Sequence, residues 1–225
     1  MSYNKTKTDP ELGAQVHKYL VKMGVETPTV ESNLDRKEKI EIIEKHFTEI
    51  MKTMGLDLND DSLIETPKRV AKMYVNEVFW GLDYDAFPKA TTVDNKMAYD
   101  EMVVERNVIV MSNCEHHFVT IDGLATVAYV PNKKVLGLSK INRIVEYFSK
   151  RPQIQERLTE QVFHALCYIL ETDNVAVMID APHYCGKSRG VEDTGSSTVT
   201  CKLGGGFKTD SAARAEFLSI ARMGK

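Results

Sequence analysis

The hydrophobic period of this chain changes once, near residue 100, and that change restricts the fold more than any other feature. Before it, apolar residues recur at helical spacing. Ile43, Phe47, Ile50, Met51 and Met54 form one stripe, and Gly55 follows as a stop. Thr66-Pro67 reads as an N-cap and first helical residue, with Val70, Met73, Tyr74 and Val78 on the apolar face and Gly81 at the end. Residues 82–98 hold Pro88 and little periodicity and read as a linker. After it, 103–111 and 118–130 are β-branched runs that predict strands. Two helices are predicted next: 139–150, with Ile141, Val145 and Phe148 inward, and one after Pro152, with Leu158, Val162, Leu166 and Ile169 inward. Strands at 174–180 and 198–203, a Gly204-Gly205-Gly206 break and a helix near 210–221 complete the pattern. Strand, strand, helix, helix, strand, strand predicts an α+β unit, an antiparallel sheet with helices on one face. The division falls between a helical part, 1–98, and a sheet-bearing part, 99–225. Open sheet edges need covering or pairing, so self-association is expected.

Composition narrows the functions available. The chain has 225 residues, enough to bury a real core, and 43% of them are hydrophobic. Lys plus Arg is 29 and Asp plus Glu is 32, a formal net charge of −3. Such a balance is not built to coat nucleic acid or an anionic membrane, so an anionic ligand needs a local basic cluster. No apolar run approaches the ~18 residues of a membrane span. The opening MSYNKTKTDP is polar and lacks the apolar stretch of a signal peptide. The expectation is a soluble, cytoplasmic protein. Its four cysteines, Cys114, Cys167, Cys185 and Cys201, are then free thiols, metal ligands or a nucleophile rather than a disulfide framework.

Three clusters carry chemistry. Cys114-Glu115-His116-His117 sits in a predicted turn between strands, where a thiol and an imidazole three apart can reach one cation. His183-Tyr184-Cys185 follows a predicted strand, with His183 and Cys185 on one face. Together they offer two Cys and three His. Four protein ligands would make a structural zinc site, and three plus water a catalytic one. Adjacent histidines are also common on surfaces, and buried cysteines act as small hydrophobes. In the second cluster, Ser139 reads as an N-cap with Lys140 and Arg143 on one helix face, which suits a phosphate. The third is Lys187-Ser188-Arg189-Gly190, with a guanidinium close behind Cys185. Arg69 and Lys72 add charge on the Thr66-Pro67 helix, and Gln155 and Glu156 offer acceptors for a guanine edge. His164 and Cys167 lack a partner pair and read as packing or surface residues. Cys201 reads as core, and His17 and His46 as solvated helix residues.

Taken in order, SNCEHHFVTIDG (112–123), GLSKINRIVEYFSKRPQIQERLT (137–159) and HYCGKSRG (183–190) resemble GTP cyclohydrolase I of the zinc-dependent, bacterial and eukaryotic type. TPKRVAKMYV (66–75) and LGGGFK (203–208) fit as well, so the resemblance covers about residues 40–222. It implies a tunnelling fold behind an N-terminal helical region, and a homodecamer with active sites between subunits. It implies Zn2+ on Cys114, His117 and Cys185, and acid–base roles for His116 and His183, with Ser139 near the ribose. It places Arg69, Lys72, Lys140, Arg143 and Arg189 on the triphosphate of GTP, and Gln155 and Glu156 at the guanine edge. The implied reaction opens the guanine ring at C8, releases formate and yields 7,8-dihydroneopterin triphosphate, a first step toward tetrahydrofolate. The Cys/His/Cys set disfavours two other enzymes of similar fold: pterin synthases with three-histidine zinc, and nitrile reductases with a catalytic cysteine. A non-catalytic oligomer with a closed four-ligand zinc and bound nucleotide is the alternative from a different class.

Overall fold

Side chains alternating between two buried faces organise the sheet. The computed structural model describes residues 7–223, and the polar opening at 1–6 lies outside the described residues. In chain order the elements are α1 (Pro10–Met23), α2 (Arg36–Thr53), α3 (Thr66–Met73), β1 (Thr92–Asp94), β2 (Val103–Cys114), β3 (Thr120–Tyr129), β4 (Lys134–Leu136), α4 (Leu138–Ser149), β5 (Pro152–Gln153), α5 (Gln155–Leu170), β6 (Val175–Ala181), α6 (Tyr184–Lys187), β7 (Thr198–Leu203), α7 (Gly205–Thr209) and α8 (Ser211–Arg222). The main sheet runs β5-β2-β3-β6-β7. It is antiparallel except where two-residue β5 pairs parallel to the end of β2, so the observed sheet is mixed.

One face of β6 presents Val175, Val177 and Ile179 to the core beneath α4 and α5. Ile141, Val145, Phe148, Leu158, Val162, Leu166 and Ile169 all face inward, as their spacing predicts. Fully burying side chains of this size contributes roughly 1.5–3 kcal/mol each relative to exposure. The other face carries Ala128, Ala176 and Met178 against Phe207, Phe217 and Ala221 of α7 and α8. Helices therefore cover parts of both faces, where the sequence predicts one. Among the described residues no helix is long and apolar enough to cross a membrane.

Several expectations need correction. Cys201 is exposed. α7 and α8 cover only the Leu203 end of its strand face, while Thr200 and Lys202 turn toward Thr159 and Glu160 of α5. Thr66 is the first residue of α3 rather than its cap, and Glu65 precedes it without a side-chain cap bond. Gly137 takes the cap position of α4, which puts Ser139 second in the helix. Gly81 does not end α3, which passes into a π turn at Tyr74–Val78. Instead Gly81 lies against α4's end, where a Cβ would meet Tyr147 O at 2.2 Å, so bare backbone is required. Residues 82–98 are not a loose linker: Phe87 is fully buried against Tyr147 and Phe148, and β1 pairs with β4. His46 is exposed as expected, whereas His17 Nδ1 lies 3.0 Å from Glu26 and its ring packs on Tyr84.

Candidate metal centre

β2 delivers Cys114 at its end, 4% exposed. The chain turns at once and returns as β3, closed by Phe118 N–H to Cys114 O and Cys114 N–H to Val119 O, both 2.8 Å. Phe118 takes φ +54°, a left-handed conformation that costs a non-glycine residue roughly 1–2 kcal/mol. Its ring is held at 5.0 Å from Phe79 and 6.1 Å from Tyr74, two aromatics at the end of the α3 segment. Asn113 Nδ2 donates to Phe118 O at 3.0 Å. On the other side, Glu115 N–H donates to Gln153 O at 3.0 Å, and the Glu115 carboxylate pairs with Arg157 at 2.5 Å. The turn is thus pinned from both flanks, which leaves His116 and His117 exposed.

The second segment arrives from β6. Ile121 of β3 bridges to His183, which precedes the single turn of α6. Ile121 and Cys114 flank the same tight turn, so this register brings residues 183–189 beside it. Cys114, His117 and Cys185 each offer a ligand atom, all within 4.8 Å of one another. Arg189 Nη1 donates to His117 Nε2 at 2.9 Å, and Cys114 Sγ lies 3.6 Å from His116 Nδ1. Burial and the neighbouring Cys114 thiol push the Cys185 thiol above its usual range, with Arg189 acting the other way. A thiol buried beside another resists ionising, and a bound metal reverses that for its thiol ligands. Two sulfurs and an imidazole are a donor set that suits zinc. The residues present fit a metal.

α5 frames the centre with its first turn. Gln155 is 1% exposed, and its Oε1 lies 2.6 Å from His183 Nε2. Glu156 is exposed. Burial lowers the His183 pKa below its ordinary value, and the Glu156 carboxylate opposes that shift. Five expected site residues come from other elements. Arg69 and Lys72 project from α3, while Ser139, Lys140 and Arg143 occupy the first two turns of α4. Among the described residues, no hydrogen bond or ion pair joins them to the Cys114–His117–Cys185 group. The contacts Gln155–His183 and Arg157–Glu115 span 28 and 42 residues of sequence, and no local spacing announces either.

Comparison with known proteins follows the same lines. A family model described as GTP cyclohydrolase I matches residues 43–222. The chain is 58% identical over 209 residues to GTP cyclohydrolase 1 of Shewanella loihica, covering 93% of this chain and 98% of that one. It is 59% identical over 212 residues to GTP cyclohydrolase 1 of Shewanella amazonensis, covering 94% and 98%. Against GTP cyclohydrolase 1 of Tolumonas auensis it is 60% identical over 198 residues, covering 88% and 92%.

Proposed function

The chain belongs to the GTP cyclohydrolase I family and is an enzyme of that type, and from this premise we propose that it converts GTP to formate and 7,8-dihydroneopterin triphosphate. The observation that carries the reading is the convergence of Cys114, His117 and Cys185 within 4.8 Å, from segments about seventy residues apart, with two further histidines beside them. Zinc held by those three residues would supply Lewis acidity, and with it hydroxide at about pH 7. His183 and His116 exchange protons with the guanine imidazole ring, and protonation at N7 makes C8 electrophilic. The C8–N9 bond opens to a formamide, and a second hydrolysis frees C8 as formate. Ser139 relays protons during rearrangement of the ribose, and ring closure gives the pterin. Glu156 holds the guanine edge, with Gln155 beside it. Arg69, Lys72, Lys140, Arg143 and Arg189 hold the triphosphate, binding energy applied away from the reacting carbon.

Among the described residues no hydrogen bond joins the groups on α3 and α4 to the metal group within one chain, which supports active sites completed between copies. The sheet-bearing part is of tunnelling type, with the helical part ahead of it divided off at residues 98/99. A homodecamer would pair the edge of β7 with the part of β2 that β5 leaves uncovered. Free thiols and the reaction class support a cytoplasmic enzyme, at the entry to reduced pterins and tetrahydrofolate. The test is formate release from GTP by the purified protein, with and without a zinc chelator, together with pterin fluorescence after oxidation. Formate and pterin, both abolished by chelation and restored by zinc, are expected. Formate without pterin would mean ring opening to a different product. Neither, from folded zinc-replete protein, would favour a binding-only oligomer.

A further inference from the structure

The hydrogen bonds around Gln155 leave one orientation for its side-chain amide. Gln155 Nε2 faces three oxygens: Thr198 O at 2.8 Å, Ile179 O at 3.1 Å and Thr200 Oγ1 at 3.1 Å. The two carbonyls can only accept. The hydroxyl is also committed to accepting. Thr159 Oγ1 donates its single proton to Gln155 O at 2.9 Å, so in the 2.7 Å contact between the two threonines Thr200 must be the donor. Its proton is then used, and a lone pair remains for the Gln155 amide. Rotating the amide by 180° would press its oxygen against two carbonyl oxygens inside a residue that is 1% exposed. Gln155 Oε1 therefore points at His183 Nε2, 2.6 Å away, and an amide oxygen cannot donate.

We propose that Gln155 is a positioning residue that fixes a proton of His183 on Nε2, leaving Nδ1 as the ring atom that exchanges protons with the substrate. The inference rests on the acid–base reading of His183 given above, and it moves Gln155 from the guanine edge to the support of that histidine. The frame behind it is rigid: Ile179 belongs to β6, Thr198 and Thr200 to β7, and Thr159 to α5. The sheet thereby selects the tautomer of a side chain at the end of one of its own strands. Partners of this kind are commonly worth 10–100-fold in activity, and a histidine in the wrong tautomer is catalytically silent.

The test combines solid-state nitrogen NMR of the zinc-loaded enzyme labelled with 15N-histidine and steady-state kinetics. The His183 signals are assigned by their loss in His183→Ala. In the unaltered enzyme a single Nε2–H tautomer is expected, and an Nδ1–H tautomer would overturn the proposal without any variant. Gln155→Ala should give a mixture of tautomers and lower kcat on the order of 10–100-fold. Its zinc content should be unchanged and its KM for GTP within about twofold of the parent. A raised KM with unchanged kcat would place Gln155 on the substrate instead. An Nε2–H signal that stays single in Gln155→Ala would mean that another group sets the proton. Near-normal turnover of His183→Ala would overturn the acid–base reading itself, an outcome separable from the tautomer seen in the parent enzyme.

Discussion

α2 and α5 carry similar apolar stripes, yet one is buried within the chain and the other is not. In α5, Leu158, Val162, Leu166 and Ile169 are all inside, and even Thr159 and Gln161 are covered. In α2 only Met51 is buried, while Ile50 is 51% exposed and Met54, just beyond its end, 70%. Ile42 of α2 and Ile64 before α3 are exposed too. A periodic stripe specifies a helix and a face; whether that face meets the same chain is decided by topology. β6 supplies a partner for α5, and nothing among the described residues fully covers α2. The metal centre lies on the self-sufficient side of this divide, and Arg69 and Lys72 lie on the other.

The largest effect should come from removing a ligand on the sheet side. Cys185→Ser is expected to lose bound zinc and turnover together, with activity down by at least about 1,000-fold, as for a site that loses a principal electrostatic group. Zinc per chain and formate release measure the two in one preparation. Retained zinc at full occupancy would remove Cys185 from the ligand set.

The tie between the two regions comes next. Arg151, 1% exposed, donates to Gly81 O at 2.6 Å and to Glu26 Oε1 at 2.8 Å, and Tyr84 also donates to the Glu26 carboxylate. Its guanidinium sits 4.7–4.8 Å from the ring centres of Tyr84, Tyr147 and Phe148. Removing one partner of a buried ion pair typically costs about 3–5 kcal/mol, because the other charge is stranded. Arg151→Met should therefore lower unfolding free energy by that much in a urea titration. A loss under about 1 kcal/mol, the scale of an exposed pair, would mean that this arginine does not fasten the loop at residues 24–27 to the sheet unit.

Ile50→Glu probes the comparison from the α2 side. If a second copy covers that face, the charge should weaken association at least about tenfold, equal to about 1.4 kcal/mol, and lower the mass seen by light scattering at fixed concentration. Helical content should hold, since Ile50 is half exposed in the chain alone. An unchanged mass would mean that α2 faces water in the assembly.

What the sequence makes legible follows the same divide. Where an element's partners lie within the chain and its period is strong, as in α4 and α5, the predicted faces are the buried ones. The Cys114–His117–Cys185 group was legible because two compact motifs carry it, each beside the end of a strand. Cys201 was misread because alternation reports two faces without saying where the covering helices stop. Arg151 and Gln155 were opaque for another reason. A buried arginine or glutamine looks like any surface residue in a sequence, and the partners its side chain hydrogen-bonds lie 24 to 125 positions away. Ser139 shows the limit of cap signatures, since Gly137 provides the extended backbone two residues earlier.

The smallest effect concerns how helices end on the two sides. α1 closes on Gly24 at φ +72°, and Gly55, just past α2, has φ +79°. α5 closes on Glu171, a residue with a side chain, at φ +54°. The difference fits the burial contrast. α5 is held along its length by the sheet, so its end tolerates a left-handed residue with a Cβ. The N-terminal helices have fewer packed neighbours to impose that conformation, and glycine supplies it locally. A Cβ built on Gly24 meets nothing within 4 Å, so Gly24→Ala changes only the backbone term. Left-handed strain of roughly 1–2 kcal/mol, less about 0.4–1 kcal/mol for the stiffer unfolded chain, leaves a net loss of about 1 kcal/mol. Urea titration of Gly24→Ala and Gly24→Asn should show the loss in Ala and less of it in Asn, which visits that region more readily. Equal stability in all three chains would mean that packing, rather than glycine, sets the end of α1, and the contrast with α5 would then stop at burial.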